Sequence, residues 1–489
     1  MIFYAILLTP LLGIILFSFI RKARWAVSIN LFISTVNFIA MILLLMRWQT
    51  TPSFFILHAH EQLYLDALGL IGWTLTTFIG MTTALFSYGY MLQNLQERRI
   101  TLKRLQLYHL FYQSFIFSLL IAFSANNIGL LWVAIEGATL ATVLLVSLYR
   151  TPEAIEAAWK YFIICIVGIA LALFGTILIY FAAQTSLDPS HAILWNALAL
   201  HAKTLNPSIM ILAFVFLFVG YGTKAGLVPF HFWLPDAYSE SPGPVAALLS
   251  GLLLNVALYA LLRFQILTNL SLQNGLANHL MIVFGLLSFV FASLTLHHQQ
   301  NIKRMFSYSS IEHVGIMTFA FGLGNAVAIL SGLFYLIIHA LIKSAIFTTV
   351  GNVMHLTHTQ KIEKIRGLLK LNPWVGWLLI VALFAIAGAP PFGLFIGEVG
   401  VFLATLQTDP YLAIILGLGF LVVFAALLRY MQSMALGNPD KTAYPTPPIA
   451  KINLVPAGLH LLIVLILGLY IPSFFMQILK QAASLFIGQ

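Results

Sequence analysis

The sequence predicts an all-α polytopic membrane protein with about fourteen transmembrane helices. The chain of 489 residues has a mean hydropathy of +0.97, and charged residues make up 8% of it, whereas about 25% is usual in soluble proteins. Apolar runs of about 18 residues or more, each long enough to cross a bilayer as a helix, recur along nearly the whole chain. A membrane β-barrel would need short segments of alternating hydrophobicity, and the sequence has none.

The predicted spans follow one another with short connections. Residues 1–20 have no basic segment and no small-residue cleavage site, so they are expected to form a first transmembrane helix and not a signal peptide. The seventh and twelfth spans are interrupted by prolines, and no soluble domain fits between any two spans. The predicted spans cover residues 2–20, 26–46, 67–91, 107–124, 127–148, 158–183, 207–228, 243–268, 276–297, 305–322, 325–352, 373–406, 411–432 and 454–478.

The distribution of Lys and Arg predicts the orientation of these helices. If the N-terminus is on the outer side, eighteen of the 24 basic residues fall on the inner side, from Arg21 to Lys441 and Lys451. Four fall on the outer side, including Arg263, which is expected to reach the membrane surface at the end of the eighth span. This asymmetry predicts that both termini are outside. It also accounts for the net charge of +10 without a nucleic-acid partner.

Several kinds of chemistry are excluded by what the sequence lacks. The single cysteine, Cys165, excludes a disulfide within the chain and a thiolate-bound iron–sulfur or zinc site. No HExxH motif, phosphate-binding loop or dinucleotide fingerprint is present. No group of His, Asp and Glu has the spacing of metal ligands. We therefore expect neither a metal nor a cofactor in this chain.

A weak internal repeat links the two interrupted spans. The stretch GLVPFHFWLPDA at residues 226–237 resembles GAPPFGLFIGEV at residues 388–399, and Asp236 lies opposite Glu398. Because the two copies are five spans apart, they run in opposite directions through the membrane. Inverted repeats with broken helices are typical of transporters, although two ordinary proline kinks remain the alternative. The predicted division is residues 1–106 for helices 1–3, 107–268 and 269–432 for two inverted five-helix repeats, and 433–489 for the C-terminal helix.

Ionisable residues inside the predicted spans need an explanation, because a charge at the bilayer centre costs about 2.5–3.5 kcal/mol even on a lenient scale. Glu136 lies near the middle of the fifth span, and Lys224 lies just before the break in the seventh. His339 and Lys343 are four residues apart in the eleventh span, so they share one helix face. Glu398 follows the break in the twelfth span.

Further polar residues accompany this series. Glu312 and His313 lie in the tenth span, and His231 and Asp236 flank the break in the seventh. Buried salt bridges that only hold helices together are one explanation. Buried lysines and carboxylates can also exchange protons near neutral pH, so an alternating series of acids, lysines and histidines predicts a proton relay.

Four motifs resemble the antiporter-like subunits of respiratory complex I, a family that includes Mrp antiporters and membrane-bound [NiFe]-hydrogenases. The resemblance covers predicted helices four to thirteen. The motifs are KAGLVPFHFWLPDAYSESPGPVAALLSG, WVAIEGATL, IIHALIKSAIF and FGLFIGEV. The combination of IEGATL, EAAWKYFIIC, GLLLNVALY and YSSIEHVG most resembles component F of formate hydrogenlyase-type hydrogenases.

The resemblance implies roles for the matched residues. Glu136 and Lys224 would form the coupled pair of a first half-channel, His339 and Lys343 the central connection, and Glu398 the end of a second half-channel. Two positions depart from the family pattern. Asn255 stands where many complex I members have a lysine or histidine, and Glu312 stands where an uncharged residue is usual.

The resulting hypothesis is a subunit that translocates protons, or exchanges Na⁺ for H⁺, within a redox-driven complex of the hydrogenase or NADH:quinone oxidoreductase type. The resemblance implies other membrane and hydrophilic subunits as partners, with iron–sulfur and [NiFe] or flavin centres in those partners. A bacterial or archaeal cell membrane is the expected location. A stand-alone secondary transporter and a purely structural membrane subunit remain alternatives.

Overall fold

The computed structural model describes residues 2–50, 56–58, 61–184, 186–439 and 449–487. Lys441, counted above among the inner cations, lies outside these residues. The described residues form twenty α-helices and one two-stranded antiparallel sheet, β1 with β2. In chain order the elements are α1 Ile2–Phe17, α2 Ala23–Thr50, β1 Ile56–His58, β2 Leu63–Leu65, α3 Ala67–Gln96, α4 Leu102–Ser124, α5 Ile128–Val146, α6 Pro152–Ala183, α7 Trp195–Leu200, α8 Pro207–Ala225, α9 Trp233–Glu240, α10 Gly243–Leu248, α11 Leu254–Ser271, α12 Leu276–Leu296, α13 Ile302–Leu323, α14 Ala326–Thr357, α15 Leu368–Leu371, α16 Pro373–Ile386, α17 Gly393–Thr408, α18 Pro410–Ala435, α19 Val455–Leu469 and α20 Ser473–Ile487.

The helices have the length and composition of membrane spans. Within the described residues, eleven helices are long and apolar enough to cross a bilayer, and α1, α16 and α17 are shorter apolar helices. Large apolar side chains such as Phe32 and Leu421 are exposed on the outside of the bundle, as expected where lipid replaces water. The prediction of a helical polytopic membrane protein is confirmed.

The chain breaks twice within apolar stretches. Helix α8 ends at Ala225, and Gly226 follows with a φ of +81°, which a residue with a side chain rarely adopts. The indole of Trp233 then donates to the carbonyl of Thr223 at 2.9 Å, so a backbone group freed by the break is satisfied. Between α16 and α17, Gly388 has a φ of +66°. Gly226 follows α8 directly and Gly388 follows α16 after Ala387, so each break contains a glycine with a positive φ.

A third irregularity lies between α10 and α11. Residues Leu249–Leu253 form one turn of π-helix, and all of them are buried. The side-chain nitrogen Nδ2 of Asn255 donates to the backbone carbonyl oxygen of Gly251 at 2.8 Å. A Cβ on Gly251 would lie 3.1 Å from the carbonyl oxygen of Ala340, so the π-helical turn packs closely against the middle of α14.

Two helix pairs approach each other through glycines. A Cβ on Gly220 of α8 would lie 2.6 Å from the carbonyl oxygen of Gly168 on α6. A Cβ on Gly315 of α13 would lie 2.7 Å from the carbonyl oxygen of Gly285 on α12. Small residues at such crossings let membrane helices pack backbone against backbone. These two contacts, the glycine seams, join α6 to α8 and α12 to α13.

Arg263 does not reach the membrane surface, so that expectation was wrong. Its guanidinium is buried and donates two hydrogen bonds of 2.6 Å to the carboxylate of Asp66, which caps α3. The guanidinium carbon lies over the ring of Trp195, 4.6 Å from its centroid. Burial, with Asp66 nearby, raises the pKa of Tyr64 to about 12, so this neighbouring phenol stays neutral. The paired carboxylate explains why this cation does not need water.

The C-terminal span is shorter than predicted. A single helix over residues 454–478 was expected, but α19 ends at Leu469 and α20 begins at Ser473. Pro472 lies between them and has no N–H to continue the helical hydrogen bonds. Helix α20 packs against α3 and α14.

Candidate functional site

Lys224 is buried in the last turn of α8, where only 1% of its surface is exposed. Because α8 ends at Ala225, Lys224 stands in the last helical turn, where the negative end of the helix dipole favours a cation. The break therefore gives the cation a favourable electrostatic environment that an uninterrupted helix would not provide. This environment accounts for the presence of a lysine in the turn before the break.

The ammonium group of Lys224 is bound by a hydroxyl and not by a carboxylate. Its Nζ donates to Oγ1 of Thr139 on α5, and the Thr139 hydroxyl donates in turn to the carbonyl of Ile135 at 3.0 Å. The ring of Tyr161 lies 5.3 Å from Nζ, in the range of a cation–π contact. In the described part of the chain, no carboxylate oxygen lies within 4.0 Å of Nζ.

Glu136 lies on α5 one turn before Thr139, so both side chains are on the same face. Glu136 is half-buried and close enough to Lys224 for their charges to interact. Its Oε2 is buried and makes no hydrogen bond to any described residue. Glu136, Thr139, Tyr161 and Lys224 form what we call the first cluster.

A second cluster lies where α13, α14 and α17 meet. Lys343 of α14 is fully buried, and its Nζ donates to the carbonyl of Phe306 at 3.0 Å and to Oγ of Ser309 at 2.9 Å. Glu312, one turn beyond Ser309 on α13, is close enough to Lys343 for their charges to interact. This lysine is thus also held by neutral oxygens, with a buried acid nearby.

A row of polar groups leads from Glu312 towards Glu398 within this second cluster. Oε2 of Glu312 lies 3.4 Å from Nε2 of His313, but neither atom makes a hydrogen bond to a described residue. Nδ1 of His313 lies 2.5 Å from the hydroxyl of Tyr335, which lies 3.5 Å from Oε1 of Glu398. An imidazole can accept a proton at one nitrogen and donate one from the other, and a phenol can accept and donate at its single oxygen. The row from Glu312 to Glu398 is therefore suited to proton transfer.

His339 lies beside this row on α14, one turn before Lys343. Its ring centroid is 5.3 Å from that of His313. The ring is fully buried, and neither of its nitrogens has a hydrogen-bond partner among the residues that the structure describes. Buried polar atoms in folded proteins are almost always paired, if necessary with water. His339 thus marks a place where water can join Lys343 to the row.

Glu398 approaches the backbone of the break between α16 and α17. A Cβ on Gly388 would lie 1.8 Å from Oε2 of Glu398. The glycine therefore serves two purposes, since it permits the positive φ and leaves room for the carboxylate. The side chain itself is half-buried at the edge of the bundle.

Three of the predicted supporting residues lie apart from both clusters. The ring of His231 is enclosed by aromatic rings, with centroids of Phe232 and Phe291 at 4.6 and 4.9 Å. Asp236 forms ion pairs with Lys160 and Arg304, at 3.3 and 3.2 Å, in a more exposed location. Asn255, on α11, bonds to its own helix, as described above. Glu312 and His313, by contrast, belong to the second cluster.

Sequence reasoning missed the hydroxyl groups that hold the two clusters together. Thr139, Ser309 and Tyr335 were not identified, because an isolated Ser, Thr or Tyr in an apolar span is common and usually bonds to its own helix. Helical spacing could have found all three. Thr139 follows Glu136 by three residues, Ser309 precedes Glu312 by three, and Tyr335 precedes His339 by four.

No site for a metal ion was found in the residues that the structure covers, since no three His, Cys, Asp or Glu side chains there could hold one. Cys165 is buried in α6 near Lys224. The chemistry that these residues can perform is therefore acid–base chemistry at buried lysines, carboxylates and imidazoles.

The family model described as "NADH:quinone oxidoreductase/Mrp antiporter, TM" matches residues 125–425 of this chain. The chain is 42% identical over 469 residues to the hydrogenase-4 component F homolog of Methylacidiphilum infernorum, a match that covers 96% of each chain. It is 33% identical to F(420)H(2) dehydrogenase subunit N of Methanosarcina mazei, and that match covers 76% of each.

The fold also resembles a solved structure. A chain of the membrane-bound sulfane sulfur reductase, an archaeal respiratory membrane complex, superimposes with a TM-score of 0.87 at 22% sequence identity. The superposition covers 99% of this chain and 97% of that one. At this level of identity the likeness concerns the fold alone.

Proposed function

Because the chain belongs to the NADH:quinone oxidoreductase/Mrp antiporter transmembrane family, we propose that it is an ion-translocating subunit of a redox-driven membrane complex. It moves protons, or exchanges Na⁺ for H⁺, across the membrane, and it uses free energy released by electron transfer elsewhere in the complex. The complex is of the hydrogenase or NADH:quinone oxidoreductase type, as in the relatives with 42% and 33% identity.

The observation that carries this proposal is how the two buried lysines are bound. Both Lys224 and Lys343 donate to hydroxyl or carbonyl oxygens, and a buried or half-buried acid lies nearby without a direct ion pair to either lysine among the described residues. A lysine fixed in a close salt bridge would be held in its charged form. A lysine held by neutral acceptors can give up its proton and remain hydrogen-bonded, which a relay requires.

In the proposed cycle, Lys224 alternates between two states. When it is protonated, attraction draws it towards Glu136; when it is neutral, Thr139 alone holds it. Its proton passes towards His339 and Lys343, and then along Glu312, His313 and Tyr335 to Glu398. Asn255 cannot hold a charge, so water beside it would have to carry the proton between the two clusters.

We further infer fourteen spans, of which the seventh comprises α8 and α9 and the twelfth comprises α16 and α17. The two breaks support an inverted repeat, because Gly226 and Gly388 occupy equivalent positions in the repeated stretch and both have positive φ. The repeats would cover residues 107–268 and 269–432, between the segments 1–106 and 433–489. Both termini would lie outside a bacterial or archaeal cell membrane.

The partners would be further membrane subunits together with hydrophilic subunits. Those hydrophilic subunits would carry the iron–sulfur clusters and the [NiFe] or flavin centres. The present chain would contribute no electron carrier. Its activity would thus depend on assembly, whereas a stand-alone secondary transporter would work alone.

The test is Lys224→Ala in the complete complex, reconstituted in sealed vesicles, with redox turnover and proton uptake recorded together. We expect the complex to assemble and proton uptake per turnover to fall. Lys203→Ala, on the exposed connection before α8, is the matched control and should change neither. Unchanged uptake in Lys224→Ala would mean that the lysine is structural, and the relay would be abandoned. Full transport by the purified chain without partners would favour the stand-alone transporter.

A further inference from the structure

A cluster of ionisable groups outside the two clusters joins the end of α3 to the end of α14. Oε1 of Glu97 lies 3.8 Å from Nδ1 of His355, and Oε2 of Glu97 lies 2.8 Å from Nε of Arg99. Arg99 also contacts His358, with Nη2 3.4 Å from Nδ1. The side chains of Glu97 and Arg99 are 25% and 36% exposed, whereas that of His355 is 3% exposed. Glu97 therefore connects solvent with a buried imidazole.

Among the described residues, Glu97 is the acid that lies within 4.0 Å of His355, and the ring nitrogens of His355 lack hydrogen-bond partners. The ring stacks edge-on against Tyr90 with centroids 4.5 Å apart. Neither ring nitrogen makes a hydrogen bond to any residue in the described ranges. If the cluster only tied α3 to α14, a direct hydrogen bond between carboxylate and imidazole would serve better. The separation of 3.8 Å and the unpaired nitrogens leave His355 free to bind water.

The part of α14 between Lys343 and His355 carries several polar residues. Twelve residues of α-helix span about 18 Å. Within this interval Ser344, Thr348, Thr349 and Asn352 are all buried. The two threonine hydroxyls bond back to their own helix. Serines and threonines that bond to their own helix are common in packed membrane helices, so only the polar atoms that are unpaired can indicate water.

Some of these polar atoms are unpaired. Oγ of Ser344, which follows Lys343 in sequence, and Oδ1 of Asn352, one turn before His355, have no hydrogen-bond partner within the part of the chain that the structure describes. The side-chain nitrogen of Asn352 donates to the carbonyl of Asn453 at 3.2 Å. Together with His355, the unpaired atoms mark both ends of the interval. Since buried polar groups without a protein partner usually bind ordered water, these positions are where water would line α14.

We propose that Glu97 and His355 form a proton entrance on the inner side of the membrane, which leads along Ser344 and Asn352 to Lys343. Glu97 takes a proton from the inner aqueous phase and passes it to His355, and water beside α14 carries it to the amine of Lys343. This entrance bypasses Lys224. It rests on the proposed function in two respects, namely that Lys343 belongs to the relay and that these ends of α3 and α14 face the inner side.

The first test measures hydration without measuring transport. Single cysteines are introduced at Asn352 and at Val350, which is buried at the same depth but apolar. The assembled complex in inside-out vesicles is treated with a membrane-impermeant cationic methanethiosulfonate, and the buried Cys165, present in every variant, sets the background. We expect Asn352→Cys to react at least about tenfold faster than Val350→Cys, because only the former lines water. Equal rates would overturn the proposal.

The second test measures the entrance itself. Glu97→Gln and His355→Gln should lower proton uptake per turnover in the reconstituted complex, and Glu97→Asp should restore it, since a shorter acid still collects protons. His358→Gln, which alters the same cluster without touching the polar line, should leave uptake unchanged. Normal uptake in both Glu97→Gln and His355→Gln would overturn the entrance. If Asn352→Cys reacts faster than Val350→Cys but Lys343→Ala pumps normally, the hydrated line is upheld and the proposed relay fails instead.

Discussion

At the scale of single residues, a hydroxyl group decides how Lys224 is held. Thr139 accepts a hydrogen bond from the lysine and gives its own proton to the carbonyl of Ile135. This leaves the hydroxyl oriented as an acceptor. The lysine thus keeps one polar partner in either protonation state, while Glu136 supplies an attraction that only the charged form feels.

Removal of this acceptor should impair transport more than assembly. In Thr139→Val the buried ammonium loses its partner, at a cost of about 1–3 kcal/mol for an unsatisfied polar group. We expect Lys224 to become neutral for most of the cycle and proton uptake per turnover to fall, whereas Thr139→Ser should retain uptake. Both quantities are measured in the reconstituted complex. Equal uptake in the valine and serine variants would show that Thr139 does not hold the lysine.

At the scale of elements, the breaks position side chains that continuous helices could not. The break after α8 places Lys224 at a helix end, and the break after α16 brings backbone directly against Glu398. Each break contains a glycine with a positive φ. Prolines in the sequence predicted where the helices would break, but only the packed structure reveals which carboxylate the broken backbone accommodates.

Gly388 provides a test at this scale. In Gly388→Ala the new Cβ would lie 1.8 Å from Oε2 of Glu398, so the carboxylate must move away from Tyr335. We expect lower proton uptake, together with about 1–2 kcal/mol of backbone strain from the positive φ. Gly437→Ala is the control, because Gly437 has a φ of +90° and nothing lies within 4 Å of its Cβ position. If both variants reduce uptake equally, strain and not displacement of Glu398 is the cause.

At the scale of the whole molecule, the ion pair between Asp66 and Arg263 joins the N-terminal helices to the region that carries the first cluster. The two residues are 197 positions apart in the chain. Trp195 also takes part, since its indole donates to the carbonyl of Arg263 at 3.0 Å. Three distant segments thus meet at one buried guanidinium.

Removal of one partner of this pair should destabilise the protein strongly. Arg263→Met leaves the carboxylate of Asp66 buried and unpaired, at an expected cost of about 3–5 kcal/mol. The double variant Asp66→Asn, Arg263→Met removes both charges and should recover most of the loss. Thermal unfolding of the purified complex, followed by the loss of this chain's helical signal, measures the difference. If the double variant is as unstable as the single one, the ion pair is not the source of stability.

Composition and the lengths of the apolar runs predicted the membrane class, and four motifs predicted the family, which is confirmed. Glu136 and Lys224 were also predicted as neighbours, and the structure brings them together through Thr139. Local sequence carries the membrane class because helix length and helix faces depend on nearby residues, whereas the pairing of Glu136 with Lys224, which lie on different helices, came from the family resemblance.

Long-range partners could not be predicted in the same way. Arg263 was expected at the membrane surface because it stands at the end of the eighth predicted span, and Asp66 is visible as its partner only once the helices are packed. Asp236 was grouped with the break beside it, yet its partners Lys160 and Arg304 come from two other helices. A single sequence does not reveal which faces of which helices meet.

The glycine seams have a mechanical consequence. Where backbones of α6 and α8, and of α12 and α13, are in direct contact, neither pair can slide without collision between main chains. Lys224 and Glu312 thus belong to two rigid helix pairs. A rocking motion that exposes a bound substrate first to one side of the membrane and then to the other would have to deform these pairs. A covalent cross-link between α6 and α8, or between α12 and α13, should therefore leave the rate of turnover nearly unchanged, since only protons, water and side chains have to move.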